Sequence, residues 1–433
     1  MKRTILALTL CVCSAGNILA DGTANAPPIL TLADAQKLAL QNHPQIAEAN
    51  YRALAAEEVV KETRAGYFPE ANLYATAVGA DSENTRIEAG ALNNPSVFDR
   101  GAGGLAVSQL ITDFGRTANL TASSRFQAQA ANQNATATRE QILLQVDTSY
   151  FGALQAQAVL HVAQQTLDTR QLLLDQVTAL ATNKLRSELD VSFAQVELEQ
   201  ARLLLQNSQN DAAAAMATLS TALGYHEYHQ FQLAEQTQPA HPDTNDVSGL
   251  IQIALAERPE LLSLRNERDA ATRYARSQRD SRLPTVEAVG VAGDAPVHDS
   301  RLPNNYAAGG VQLSLPLFAG GLYLARQHEA ELKAQAAAEL LRTLEDNVIR
   351  DVRIAWLNVN NALAQFHTTE QLLQHATEAY ELADARYQNG ISSIVELSQA
   401  QLNLTSAQIA NTDARYNVLI QEANLDYQIG LLR

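Results

Sequence analysis

The chain is written twice. Leu32–Ile46, LADAQKLALQNHPQI, lies over Val247–Leu261, VSGLIQIALAERPEL, at a constant offset of 215. Ala39 and Leu40 meet Ala254 and Leu255, Pro44 meets Pro259, and Pro69 meets Pro284. Past the next loop the offset becomes 206 and holds: Ser108 with Ser314, Val146 with Val352, Tyr150 with Trp356, Ala194-Gln195 with Ala400-Gln401, Ala201 with Ala407, Gly224 with Gly430. A spacing that persists over so long a run marks a tandem duplication, and self-similarity of this kind constrains a fold more than any local propensity. Whatever unit folds once must fold again and sit beside its own copy.

Each copy reads as the same series of elements. A first helix, about Leu32 to Gly66 and Val247 to Ser281, ends before a proline. Two short alternating segments follow: Ala71–Val78 and Gly104–Ile111 in copy one, Thr285–Ala292 and Gly310–Leu317 in copy two. Val311, Leu313, Leu315 and Leu317 fall on one face at period two, the signature of a strand. The loop of copy one, GADSENTRIEAGALNNPSVFDRG, is rich in Gly, Asn and acids and reads as solvated.

Very long helical runs complete each copy. Residues 116–223 contain no proline and only Gly152; residues 322–429 contain no proline and only Gly390. Leu341, Leu344, Val348, Val352, Ala355, Val359, Ala362, Phe366, Leu373, Ala376, Tyr380, Ala383 and Tyr387 recur at coiled-coil spacing. Beyond the glycine, Leu397, Ala400, Leu404, Ala407, Ala414 and Val418 keep the rhythm. Gly390 therefore reads as the turn of a helical hairpin, and its counterpart in copy one is Lys184. Each first arm is predicted to extend roughly 100 Å.

The first twenty residues, MKRTILALTLCVCSAGNILA, have two cations, an apolar stretch and small residues before Asp21, the pattern of a secretory signal peptide. Both cysteines, Cys11 and Cys13, fall inside it, and neither follows the Leu-small-small pattern of a lipid-anchoring site. The mature chain must be held by packing and not by disulfides. Removing Lys2 and Arg3 takes 31 basic residues to 29 against 47 acidic ones, a net charge of −18 that argues against nucleic acid as a partner. No segment approaches eighteen consecutive apolar residues, so entry into a membrane would have to be as strands of a closed barrel. The organisation that follows is a signal peptide at 1–20, a first repeat at 21–224, a connecting segment at 225–246 and a second repeat at 247–433.

Four strands in an open sheet would leave unpaired backbone groups at two edges, each costing several kcal/mol in lipid. Lipid-spanning barrels need about eight strands or more. The chain is therefore expected to pool its strands with copies of itself, and its Ala-rich helical seams to pack into a ring around a water-filled space.

The signal peptide, LTLADAQKLALQNHPQI, the strand followed by LFAGG (Leu317 to Gly321), and RYQNGISSIVELSQAQ (Arg386 to Gln401) resemble the TolC family of outer-membrane efflux proteins over essentially the whole mature chain. The resemblance implies a mainly α fold with a small β part. Long antiparallel coiled-coil hairpins form an α-barrel, and four strands per chain join a homotrimeric 12-stranded transmembrane β-barrel in outer-membrane lipid. It implies an exit duct of a multidrug efflux pump or type I secretion system, partnered by a periplasmic adaptor and an inner-membrane transporter, with no cofactor.

In that reading the hairpin tips, Ala181–Asp190 and Tyr387–Glu396, are the entrance. The tyrosine of the family's closing link falls on Tyr387, its aspartate on Asp190 and an acidic constriction on Glu396. Adaptor contact falls on Lys184, Leu185, Arg186 and Ser187 of one tip and Asn389, Gly390, Ile391 and Ser392 of the other. Three positions depart from the pattern: a second constriction acid is Gln399, a second link's arginine is Ser392, and the glycine of the first tip is Lys184.

Read without the family, Glu396 is also compatible with a solvated helical acid and Tyr387 with seam packing. His226, His229 and His241 have no cysteine or organised acid beside them and read as surface histidines. No phosphate loop, dinucleotide fingerprint, nucleophile elbow or zinc helix occurs, so no enzyme activity is expected. The competing reading is a periplasmic coiled-coil structural or adaptor protein, which explains the helices but not four strands in two matched pairs.

Overall fold

The computed structural model describes residues 29–79, 100–235, 246–297 and 303–432. The signal peptide, His241 and most of the loop after Val78 lie outside these residues. Copy one contributes α1 (Leu32–Asn42), α2 (Pro44–Ala65), β2 (Glu70–Val78), β3 (Arg100–Thr112), α3 (Arg116–Thr182) and α4 (Glu188–Ala222). Copy two repeats the series as α5 (Val247–Glu257), α6 (Pro259–Asp280), β5 (Thr285–Val297), β6 (Asn305–Ser314), α7 (Leu322–Gln388) and α8 (Ile394–Ile429). Two short strands, β1 (Ile29–Leu30) and β4 (Gln232–Leu233), pair in parallel.

The expectation of one unbroken first helix per copy is corrected. Each is two helices meeting at an extended residue, His43 (φ −72°, ψ 123°) and Arg258 (φ −65°, ψ 121°). The cause is the next residue: Pro44 and Pro259 force their predecessors out of the helical region and then serve as first residues of α2 and α6. In copy one His43 Nδ1 accepts the Gln45 N–H at 3.3 Å. In copy two Arg258 spans the break, donating to Glu260 at 3.1 Å and to Gln428 at 2.9 Å.

The break meets the end of the returning arm of its own copy. Gly224 follows α4 with φ +84° and Gly430 follows α8 with φ +75°. A Cβ on Gly224 would lie 2.9 Å from backbone atoms of Asn42 and His43, and one on Gly430 3.2 Å from Arg258 Cα. The two repeat-equivalent glycines are thus needed twice over, for a left-handed φ and for backbone approach.

Both outgoing helices, α3 and α7, have 67 residues, a span of roughly 100 Å. The seam residues predicted on α7 and α8 are all buried or half-buried. Ala35 and Ala39 of α1, Val146, Tyr150 and Phe151 of α3 and Leu219 of α4 belong to the largest apolar cluster, which Tyr416 and Leu419 of α8 also enter. The Tyr150 hydroxyl lies 2.8 Å from the Leu30 carbonyl and 2.9 Å from that of Ala234, tying β1 and β4 to α3.

The four long strands form one antiparallel sheet in the order β2-β3-β5-β6, so the two copies join at β3 and β5. Strand β6 ends at Ser314, before the predicted Leu317, because Pro316 cannot continue a ladder. Cross-strand rows separate two faces. Leu73, Leu105, Ala292 and Ala307 form one row of an apolar face; Tyr74, Gly104, Gly293 and Tyr306 form a row of the opposite face, which also carries Glu70, Asn72, Ser108 and Gln312. Leu73, Val311 and Leu313 are 81%, 69% and 65% exposed, so within one chain the apolar face is uncovered. The Tyr306 ring reaches over Gly293 of β5, with its Cζ 2.6 Å from where a Gly293 Cβ would stand. Among the described residues strands β2 and β6 each have one neighbour, so both outer edges are open.

Acids are buried beside the largest cluster. Asp147 on α3 is 3% exposed and accepts a hydrogen bond from Gln36 at 2.7 Å. Burial pushes its carboxyl up to about 6, against the pull of the Gln36 hydrogen bond and with help from Asp426. Burial, with Asp426 nearby, lifts Glu422 on α8 to about 7. Folded groups with raised pKa hold protons that the unfolded chain has released. Their support for folding is complete below about pH 4 and is lost as pH rises through 6 to 7. The thermal midpoint should accordingly be higher at pH 5 than at pH 8, with Asp147→Asn reducing the difference. Gly224→Ala should destabilise the fold by more than the about 1 kcal/mol of left-handed strain alone, read as a lower thermal midpoint, because the added methyl also meets backbone.

Candidate functional site

Both hairpins turn by one device at the ends farthest from the sheet. After α3, Asn183 caps the helix, Lys184 takes φ +59° and the Leu185 N–H reaches back to the Leu180 carbonyl at 2.9 Å. After α7, Asn389 caps, Gly390 takes φ +75° and the Ile391 N–H reaches the Arg386 carbonyl at 2.9 Å. These are Schellman endings, in which the residue after the cap is left-handed. Gly390 is thus a turn residue, and Lys184 holds the same conformation at the cost of a Cβ in that region.

The returning helices start alike. SELD (Ser187–Asp190) and SIVE (Ser393–Glu396) are repeat-equivalent N-cap sequences, and only the first closes a full capping box. The Ser187 Oγ accepts the Asp190 N–H and the Asp190 carboxylate accepts the Ser187 N–H, both at 3.2 Å. The Ser393 Oγ accepts the Glu396 N–H at 3.4 Å. Here the copies part: the Glu396 carboxylate faces Arg386 on α7, with Nε to Oε1 at 3.4 Å, both side chains about half exposed. An exposed pair of this kind is worth about 0 to 1 kcal/mol, so the Glu396 charge remains available to solvent.

Between the tips Leu173, Val177, Ala194, Ala383, Tyr387, Ile394 and Leu397 pack into one small core that joins the two hairpins. Tyr387 is 5% exposed, and its Oη has no hydrogen-bond partner among the described residues. Burial pushes its phenol up, with Arg186 opposing and Asp190 reinforcing the shift. Tyr387 and Asp190 are therefore electrostatic neighbours, though no hydrogen bond joins them within one chain. The predicted contact residues Lys184, Leu185, Ser187, Asn389, Gly390 and Ile391 are exposed, Leu185 and Ile391 at 69% and 70%. Arg186 and Ser392 are half-buried.

Two contributors were not anticipated. Arg386 is the partner of Glu396, and Arg170 lies 4% exposed behind the tips, paired with Glu197 at 2.9 Å. The second had a sequence signal: Arg170 sits seven residues from Ala163 and from Val177, in the apolar seam, where a cation needs a partner. The His229 ring stacks on Tyr225 with centroids 4.3 Å apart. Among the described residues no group of three His, Cys, Asp or Glu could hold a metal ion, and no helix is long and apolar enough to cross a membrane.

The family model described as outer membrane efflux protein matches residues 35–225 and 250–431. The chain is 25% identical over 410 residues to the outer membrane protein TolC of Escherichia coli strain K12, across 90% of this chain and 80% of that protein. It is 25% identical over 416 residues to the alkaline protease secretion protein AprF of Pseudomonas aeruginosa, across 93% of this chain and 85% of that one. Its fold superposes on the crystal structure of the outer membrane protein VceC from Vibrio cholerae with a TM-score of 0.77 at 19% identity, covering 92% of this chain and 96% of the other.

The shared turn geometry has a measurable consequence. Lys184→Gly should stabilise the protein by about 1 kcal/mol and Gly390→Ala should destabilise it by a similar amount, read as opposite shifts in the thermal midpoint of the helical circular dichroism signal.

Proposed function

This chain belongs to the outer membrane efflux protein family, and from that premise we propose a gated exit duct that opens at the two hairpin tips. The protein is an outer-membrane channel whose helical part stands in the periplasm. Its role is to conduct exported material of an efflux pump or a type I secretion system. The matching family model is described as an efflux protein, and one relative is named for protease secretion. The conduit itself performs no chemistry, so no catalytic group or cofactor is assigned.

The observation that carries the reading is the sheet: one apolar uncovered face, one polar face and two open edges, at one end of hairpins with 67-residue arms. In lipid those edges must be paired. Three chains would close twelve strands, with the Leu73 and Leu313 face toward lipid and the Tyr74 and Tyr306 face lining the channel. A homotrimer in outer-membrane lipid is the assembly we infer. The tip residues 184–187 and 389–392, all exposed but the half-buried Arg186 and Ser392, would meet a periplasmic adaptor and, through it, an inner-membrane transporter. A wholly periplasmic coiled-coil role leaves the sheet unexplained.

At the entrance, the buried Tyr387 hydroxyl without a partner and the adjacent Asp190 supply a donor and an acceptor for a closing link. A hydrogen bond to a charged group contributes about 1.5 to 3 kcal/mol, so three copies would hold the entrance shut by about 5 to 9 kcal/mol. Adaptor binding can offset energies of that size. Three Glu396 carboxylates around one axis would repel anions and hold cations within a Debye length of about 8 Å. Arg386 beside each Glu396 tempers that field without cancelling it.

The assembly predicts a heat-modifiable trimer that fractionates with the outer membrane; recovery as a soluble monomer or dimer after osmotic shock would overturn it. For the gate, Tyr387→Phe combined with Asp190→Ala should raise single-channel conductance in planar bilayers, and Glu396→Ala should abolish block by multivalent cations. Unchanged conductance in the first variant would remove the latch, and undiminished block in the second would remove the constriction.

A further inference from the structure

The latch and the constriction leave one tip cation without a role. Arg186 lies in the short turn between α3 and α4, yet its guanidinium reaches the other repeat. Its Cζ stands 4.4 Å from the centroid of the Tyr387 ring, and its Nη2 donates to the Tyr387 main-chain carbonyl at 3.1 Å. That carbonyl belongs to the last turn of α7, the end of a 67-residue helix where backbone dipoles favour a cation. One side chain therefore caps α7 and covers the face of the ring whose hydroxyl is the proposed latch donor.

The duplication shows that this pair is not inherited symmetrically. Position 186 corresponds to 392, which is Ser392, and position 387 corresponds to 181, which is Ala181. Neither member of the pair exists in the opposite copy, so the contact runs one way, from the tip of copy one to the α7 end of copy two. The Ser392 hydroxyl, at the place where the second arginine would stand, is buried without a partner. No carboxylate forms an ion pair with Arg186 among the described residues; the ring and the carbonyl are its recorded contacts.

We propose that Arg186 is the positioning residue of the entrance, a clasp between the two hairpin tips of each subunit that fixes the Tyr387 ring and makes the tips move as one body. It rests on the reading of Tyr387 as a latch, but the tie between the tips is testable apart from it. Planarity is central to the contact, because a guanidinium can stack on a ring and reach a carbonyl at once, whereas an ammonium is a point charge.

The test uses the full-length trimer with Arg186→Ala, Arg186→Lys and, separately, Tyr387→Phe. Hydrogen exchange read by mass spectrometry should be about tenfold faster over residues 384–393, in the opposite repeat, when Arg186 is replaced by Ala, with Lys restoring only part of the protection. Planar-bilayer conductance should rise in Arg186→Ala and to a smaller degree in Arg186→Lys. Unchanged exchange over 384–393 in both Arg186 variants overturns the clasp, whatever the conductance does. A gain of conductance in Tyr387→Phe without one in Arg186→Ala also overturns the positioning role while leaving the latch intact. Faster exchange in the Arg186 variants with unaltered conductance in Tyr387→Phe removes the latch and retains the tie. Should Arg186→Ala fail to assemble, Arg186→Lys decides the matter, since it keeps the charge and removes the planar stack.

Discussion

Unpaired backbone at the edges of the sheet is the constraint on which the rest of this structure depends. Among the described residues, strands β2 and β6 each offer an outer row of N–H and C=O groups with no strand to bond. An edge in water is a hazard and an edge in lipid is excluded, so the molecule is incomplete as a single chain. In the proposed barrel the apolar face carrying Leu73 and Leu313 would meet lipid and the face carrying Tyr306 would line the channel, with identical neighbours pairing the edges. In that proposal the long hairpins rooted in the same sheet come together as a ring as well.

The duplication makes such a ring economical, because two similar hairpins per chain give quasi-equivalent positions around an axis. It also explains where the copies are held to strict likeness and where they are free. At the mid-level junction the likeness is backbone: Pro44 and Pro259 break the first helix, and Gly224 and Gly430 admit the break at close range. A side chain at either glycine meets main chain that cannot move aside. The caps at the break are interchangeable, and there the copies use different means, a histidine nitrogen in one and an arginine with Glu260 and Gln428 in the other.

At the tips the same rule holds in a functional setting. The turn conformation is shared even though Lys184 tolerates it less well than Gly390, because the hairpin needs that reversal of the chain. The charges around it have diverged. Asp190 stays within its capping box, whereas its equivalent Glu396 turns to Arg386. Tyr387 and Arg186 come one from each copy and meet across the repeat boundary. Behind them the buried Arg170–Glu197 pair adds a polar requirement to an otherwise apolar seam, since removing either partner would leave a charge uncompensated.

The sequence by itself determined the duplication, the helical periodicity, the matched strand pairs, the turns at Lys184 and Gly390, and hence a mainly α chain that has to assemble. These are local or periodic properties: a 3.5-residue rhythm, a two-residue alternation and a proline-free run carry their geometry with them. Even the misjudged first helix was a local matter, for the break lies one residue before a proline that is plain to see. Only the tertiary structure decided which repeat-equivalent residues meet. That β3 and β5 join the copies, that Glu396 faces Arg386, and that Arg186 crosses to Tyr387 depend on how hairpins separated by some two hundred residues are set side by side. No spacing along the chain encodes that distance, because it arises from packing in the small core between the tips.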